Sequence, residues 1–128
     1  MPERFPADDP REWVNRAHSD LILAKTKNQT VYLEDLCFHA QQAAEKAIKS
    51  VLIKHNVKFP HVHDIAERLT LLEKAGCLVP EFVRQAERLT RFAVFTRYPG
   101  IAPPLSDQEH EEAVHVAEYV VCWAEEQL

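Results

Sequence analysis

Residues 31–55, "VYLEDLCFHAQQAAEKAIKSVLIKH", decide the fold, because they hold neither Gly nor Pro and keep one helical rhythm from end to end. Apolar or small residues recur at Leu33, Leu36, Cys37, Ala40, Ala43, Ala44, Ala47, Ile48, Val51 and Leu52, the i, i+3, i+4, i+7 spacing of one helix face. Ala40, Ala43, Ala44 and Ala47 leave the middle of that face nearly smooth, so a neighbouring helix can come close before side chains interlock. His39, Gln42, Glu45, Lys46 and Lys49 fall on the opposite flank. A helix this long with a narrow apolar seam predicts the central pillar of a bundle.

Before the pillar, residues 1–8 are polar and broken by Pro, which reads as a loose lead-in. Asp9 can cap a first helix, with Pro10 at N1 and Glu12 at the N3 place of a capping box. That helix runs through Trp13, Ala17, Leu21 and Ala24 to about Lys27, and the short "KNQT" link makes it an antiparallel neighbour of the pillar. Beyond the pillar's end near His55–Asn56, "VKFPHVHD" reads as a loop. A third helix then starts at about His63 or Asp64, passes through Ile65, Leu69 and Leu72, and stops at Gly76. Pro80 opens a fourth helix with Phe82, Ala86, Leu89 and Ala93 as its inward stripe. "TRYPGIAPPLS" breaks regular structure, and Ser106 with Glu109 forms a capping box for the last helix. Ala113, Val116, Ala117, Val120, Val121 and Ala124 face inward on it. With no strand alternation and no repeat, the reading is all-α: an up-and-down four/five-helix bundle, one domain over residues 1–128.

A chain of 128 residues buries about two-thirds of its unfolded surface, enough for a core without staples. Two glycines against eight prolines argue against Gly-rich phosphate loops. The cysteines, Cys37, Cys77 and Cys122, are odd in number and widely spaced, as expected for reduced thiols in a cytoplasmic protein. Cys37 and Cys122 read as small core hydrophobes. No run approaches the about 18 apolar residues of a membrane span, and "MPERFPADDP" has no apolar signal region. The net charge of −5 is uneven: residues 100–128 hold seven acidic side chains and no Lys or Arg, so residues 1–99 sum to +2. A nucleic-acid partner would therefore have to be met through a local basic patch.

Four groups of residues could carry chemistry. Arg84, Arg88 and Arg91 fall at i, i+4 and i+7 of the fourth helix, away from its apolar stripe; they read as a guanidinium row for phosphate oxygens or as a solvated face balanced by the acidic last helix. Arg97-Tyr98-Pro99 sets a guanidinium and a phenol on a rigid turn, where Arg can clamp a phosphate and Tyr can stack on a base; the alternative is a Tyr that plugs the end of the bundle. Gln42 and Lys46 are i, i+4 partners, with Gln41 and Glu45 beside them nearer the seam, a set that can fix helix register through a polar network. His61, His63 and Asp64 are metal-ligating types, and with His39 and Asp107 they parallel the residue order of HD-type phosphohydrolases. An adjacent His–Asp pair at a helix start is equally a cap and its neighbour, so no metal and no cofactor is assigned.

The succession "WVNRAHSDLILAK", "CFHAQQAAEKAIKSVLIKH", "HDI" and "TRYP", followed by an Ala- and Val-rich last helix, resembles small stand-alone HEPN-domain proteins over residues 11–124. Its most specific piece is "FHAQQAAEKAIKS" with His63-Asp64 and then Arg97-Tyr98-Pro99 downstream. The resemblance implies a helical bundle that pairs into a homodimer, and a partner in the form of a minimal nucleotidyltransferase in a toxin–antitoxin-like pair. Many such proteins are metal-independent ribonucleases with an R-x4-6-H motif, in which His handles the 2′-hydroxyl proton and Arg the phosphate charge. Here the motif is absent from its expected place: His110 lies thirteen residues past Arg97, and Arg11 with His18, which do have the spacing, sit on the first helix. Arg97 carries over as the phosphate-facing residue, and the catalytic His does not. The leading expectation is a HEPN partner protein that binds a nucleotide or RNA end near Arg97, Tyr98 and His63, with Asp64, Lys46 and Gln42 as further candidates. A ribonuclease toxin using His63 as base, and an HD-like metal phosphohydrolase, are the alternatives.

Overall fold

The computed structural model describes residues 1–58, 64–95, 98–100 and 103–128; their regular structure is helical, with no strand among them. The helices are α1 (Pro10–Lys25), α2 (Leu33–Lys54), α3 (Ile65–Lys74), α4 (Glu81–Arg84), α5 (Phe92–Phe95) and α6 (Asp107–Gln127), with a 3-10 segment, Gln85–Leu89, between α4 and α5. The all-α bundle expected from the sequence is what forms. Side-chain contacts give the directions: Lys27–Asp107 at 2.5 Å, Lys25–Glu118 at 2.6 Å and His18–Glu125 run α1 antiparallel to α6. Lys46–Asp20 and the Lys49 ammonium over the Trp13 ring run α1 antiparallel to α2. The α1 lysines thus face part of the acidity of the last helix.

The pillar is central, but its seam is not narrow. All of Leu36, Cys37, Ala40, Ala43, Ala44, Ala47, Ile48, Val51 and Leu52 are buried, and so are Gln41, Glu45 and Ser50; Leu33 is half-buried. Glu45, expected on the solvated flank, is inside because α3 covers that side as α1 and α6 cover the others. Alanines are buried on all three long helices: Ala17 and Ala24 of α1 and Ala113, Ala117 and Ala124 of α6 share one core with the pillar's four.

Local signals placed the helix ends. Asp9 caps α1 through the Arg11 N–H at 2.9 Å, but the expected capping box does not close, because Glu12 Oε1 accepts from the Phe5 N–H at 3.0 Å. That bond, Trp13 Nε1 to the Ala7 carbonyl (2.7 Å) and Asn15 Nδ2 to the Glu3 carbonyl (2.8 Å) tie the N-terminal residues back onto α1, where a loose lead-in was expected. Trp13 itself is only half-buried, and the helix ends two residues before the expected Lys27. After α3, Gly76 at φ 88° completes a Schellman motif: its N–H reaches the Glu73 carbonyl and the Cys77 N–H the Leu72 carbonyl, both at 3.0 Å. Ser106 and Glu109 close the predicted capping box at the start of α6.

The fourth helix departs most from expectation. Instead of one α-helix it is two short α turns joined by 3-10, and its inward residues are Val83, Ala86, Leu89 and Phe92. Phe82 is exposed and Ala93 half-buried. The buried set recurs every three residues, the period of a 3-10 helix rather than the 3.6 of an α-helix. On α6, Val116 is half-buried while Val114 and Trp123 join the core.

Cys122 is exposed, against its reading as a core residue, whereas Cys37 and Cys77 are buried. Burial, reinforced by the nearby Glu34 carboxylate, pushes the Cys37 thiol up to about 12, and burial raises Cys77 as well. Only thiolates attack disulfide reagents. Titration of the native protein with an aromatic disulfide reagent at neutral pH is therefore expected to count one fast thiol, rising to three after denaturation. Two or more fast thiols in the native protein would contradict this packing.

Candidate functional site

Two places gather the polar side chains that the core does not need. The first lies along the flank of α2. Asp20 of α1, nearly buried, uses both carboxylate oxygens: Oδ1 lies 3.0 Å from His39 Nδ1 and Oδ2 2.5 Å from Lys46 Nζ. Beside it, Gln42 Nε2 donates to Gln41 Oε1 and Gln41 Nε2 donates to Glu45 Oε2, each at 2.7 Å. Glu45 Oε1 in turn lies 3.6 Å from Arg68 Nη1 of α3, with both side chains nearly buried. Burial lowers the Arg68 pKa and the Glu45 carboxylate works against that shift.

Gln42 and Lys46 thus lie on this flank, but not as each other's partners: Lys46 turns to Asp20 and Gln42 to Gln41. Asp20 and Arg68 carry the cross-helix contacts and were not singled out from the sequence. Their signal was a charge inside an apolar stripe, since Asp20 falls between Ala17, Leu21 and Ala24, and Arg68 between Ile65, Leu69 and Leu72. A stripe charge that folding buries must find a partner on the next helix.

The second place is a cleft of about 400 Å³ between the 3-10/α5 segment and the first half of α6. Leu89, Phe92, Ala113 and Val116 line its apolar part. Arg88 and Arg91 stand on one side, Glu109 and Glu112 on the other. Arg91 Nη2 is 3.8 Å from Glu109 Oε2, beyond hydrogen-bond length, and the guanidinium lies 4.6 Å from the centre of the Phe92 ring. The Ser106 N–H on Glu109 Oε1 holds that carboxyl below its usual range.

The arginine row does not survive folding. Arg84 turns to α3, pairing with Glu73 and donating at 3.4 Å to the Ala66 carbonyl and to Thr70 Oγ1, because the 3-10 turns shift Arg88 and Arg91 in phase. Tyr98 is 58% exposed, in the segment joining α5 to α6. Asp64 caps α3 through the Glu67 N–H at 3.4 Å. His63 and Arg97 lie outside the described residues, as does His61. Among the described residues no three His, Cys, Asp or Glu side chains come together as a metal site, and no helix is long and apolar enough to cross a membrane.

Fold and site define an all-helical protein that has, among the described residues, a polar pillar flank and a mixed-charge cleft. Residues 10–127 match the HEPN domain model, and the chain belongs to the HEPN family. It is similar to the Methanocaldococcus jannaschii protein named "Putative toxin MJ1304", at 30% identity over 116 residues that cover 79% of this chain and 74% of the relative. The crystal structure of TT1696 from Thermus thermophilus superposes with a TM-score of 0.80 at 29% identity, covering 93% of this chain and 98% of that one. ST0689, described as an archaeal HEPN homologue, gives 0.74 at 25% identity, with 93% and 97% covered.

Proposed function

We propose that this HEPN protein is a cytoplasmic, homodimeric member of a toxin–antitoxin-like pair, acting with a minimal nucleotidyltransferase and contacting a nucleotide or RNA end through Arg97 and Tyr98. The observation that carries the reading is the HEPN match over residues 10–127, together with a relative that bears the name of a toxin. The exposed Tyr98 ring supports it, since an aromatic on a Pro-flanked turn offers a stacking surface for a base. The lack of R-x4-6-H at the family's position favours binding over cleavage.

The test pairs binding with cleavage. Purified protein in chelator is expected to leave single-stranded RNA intact, and Arg97→Ala to weaken RNA binding about tenfold or more, the loss of one charge-assisted phosphate contact. RNA degraded without metal, with activity lost in Arg97→Ala, would overturn the binding-only reading. The toxin name of the archaeal relative favours a second reading, a ribonuclease with His63 as general base. His63→Ala then relieves growth arrest in expressing cells, and unchanged arrest removes it.

A further inference from the structure

One face of the bundle carries both a hole and a knob. The hole is the 400 Å³ cleft. Its charges are poorly spent within the chain: Arg91 stands 3.8 Å from Glu109, Glu112 meets only the Gln108 amide at 3.3 Å, and Arg88 has no ion pair among the described residues. The knob lies on the same side of α6, where Glu112, Val116 and Tyr119 follow at i, i+4 and i+7, so Tyr119 sits about 10 Å along the axis from Glu112. Its ring meets the Phe82 ring edge to face with centroids 6.0 Å apart, yet Tyr119 stays 56% and Phe82 47% exposed. Two large aromatics packed edge to face and half open to water are what an interface core looks like before it is covered.

A two-fold interface sets the same patch against itself, so that residue i meets j and j meets i. Such an interface closes well only when the patch holds both halves of each contact. This one does, with an aromatic knob beside an apolar-floored hole and a cationic wall beside an anionic one. A polyanion would be repelled by Glu109 and Glu112, and a small dipolar ligand would leave the aromatic pair uncovered. From this self-complementarity we infer that a second copy of this chain docks here. Phe82 and Tyr119 of each copy enter the cleft of the other, and Arg88 and Arg91 of each face Glu112 and Glu109 of the other. The inference rests on the homodimer reading above and assigns the surface and the contacts that make it.

Sedimentation velocity of the full chain at micromolar concentration tests it. The native protein is expected to be a dimer that loosens with added salt. Arg88→Glu and Glu112→Arg should each weaken it at least about tenfold, since like charges then face each other twice. Mixing the two variants restores the dimer, because every facing pair is then opposite in sign, and the double variant Arg88→Glu/Glu112→Arg restores it in one chain. Phe82→Ser, at a position 47% exposed, weakens the dimer while the chain keeps its helical circular dichroism spectrum. A native dimer indifferent to both charge reversals, or reversals that mixing fails to rescue, overturns this surface while the homodimer stands. A native monomer overturns both.

Discussion

Replacing Glu45 by alanine lowers the melting temperature by about 10 °C, the equivalent of about 3 kcal/mol for a domain of this size. The Glu45 carboxylate sits among buried groups, accepting from Gln41 Nε2 at 2.7 Å and facing Arg68 at 3.6 Å. Both side chains are more than nine-tenths buried, so solvent screens their interaction little. Without the carboxylate a guanidinium is left in a site that already lowers its pKa by burial, and the Gln41 amide loses an acceptor. Replacing the pair together, Glu45→Leu with Arg68→Met, is expected to recover the part of the loss that comes from the buried charge, while Gln41 Nε2 still lacks the acceptor it had in Glu45. Calorimetry or a thermal circular dichroism scan decides it. A Glu45→Ala protein melting within about 2 °C of the parent would mean that water reaches the pair.

Ala44→Leu is expected to cost about 3 kcal/mol, by overpacking rather than by loss. Ala44 has no exposed surface, its α2 neighbours Ala40, Ala43 and Ala47 are equally buried, and they share one core with the buried alanines of α1 and α6. Adding the rest of a leucine there pushes helix axes apart along their length, since interiors packed to crystal density have no slack. Ala44→Gly is the control: it adds no volume and loses only about 1 kcal/mol of helix propensity. Equal melting temperatures for the Leu and Gly variants would show that the seam is not the close approach described.

The short-range features were legible because both partners lie within a few residues. Asp64 before α3, Ser106 with Glu109 before α6, and Gly76 after α3 each satisfy backbone groups three or four positions away, and each formed as read. The pillar was legible for the same reason of periodicity, though not its nearly all-round burial, which depends on how many neighbours cover it. The fourth helix misled because its sequence supports two registers. Phe82, Ala86, Leu89 and Ala93 fit 3.6 residues per turn, while Val83, Ala86, Leu89 and Phe92 fit three, and only packing on α2 and α6 chose the second.

That choice moved the candidate site, separating Arg84 from Arg88 and Arg91 and turning Phe82 outward beside Tyr119. What the sequence alone determined is the helical class, the dominance of residues 31–55 and the capped ends at Asp64, Gly76 and Ser106, all set by local hydrogen bonds and by the repeat of apolar side chains. Tertiary structure alone decided which charges meet. Asp20 with Lys46 and Glu45 with Arg68 are 26 and 23 positions apart in the chain, and their pairing exists only once the helices have docked at a given depth and rotation.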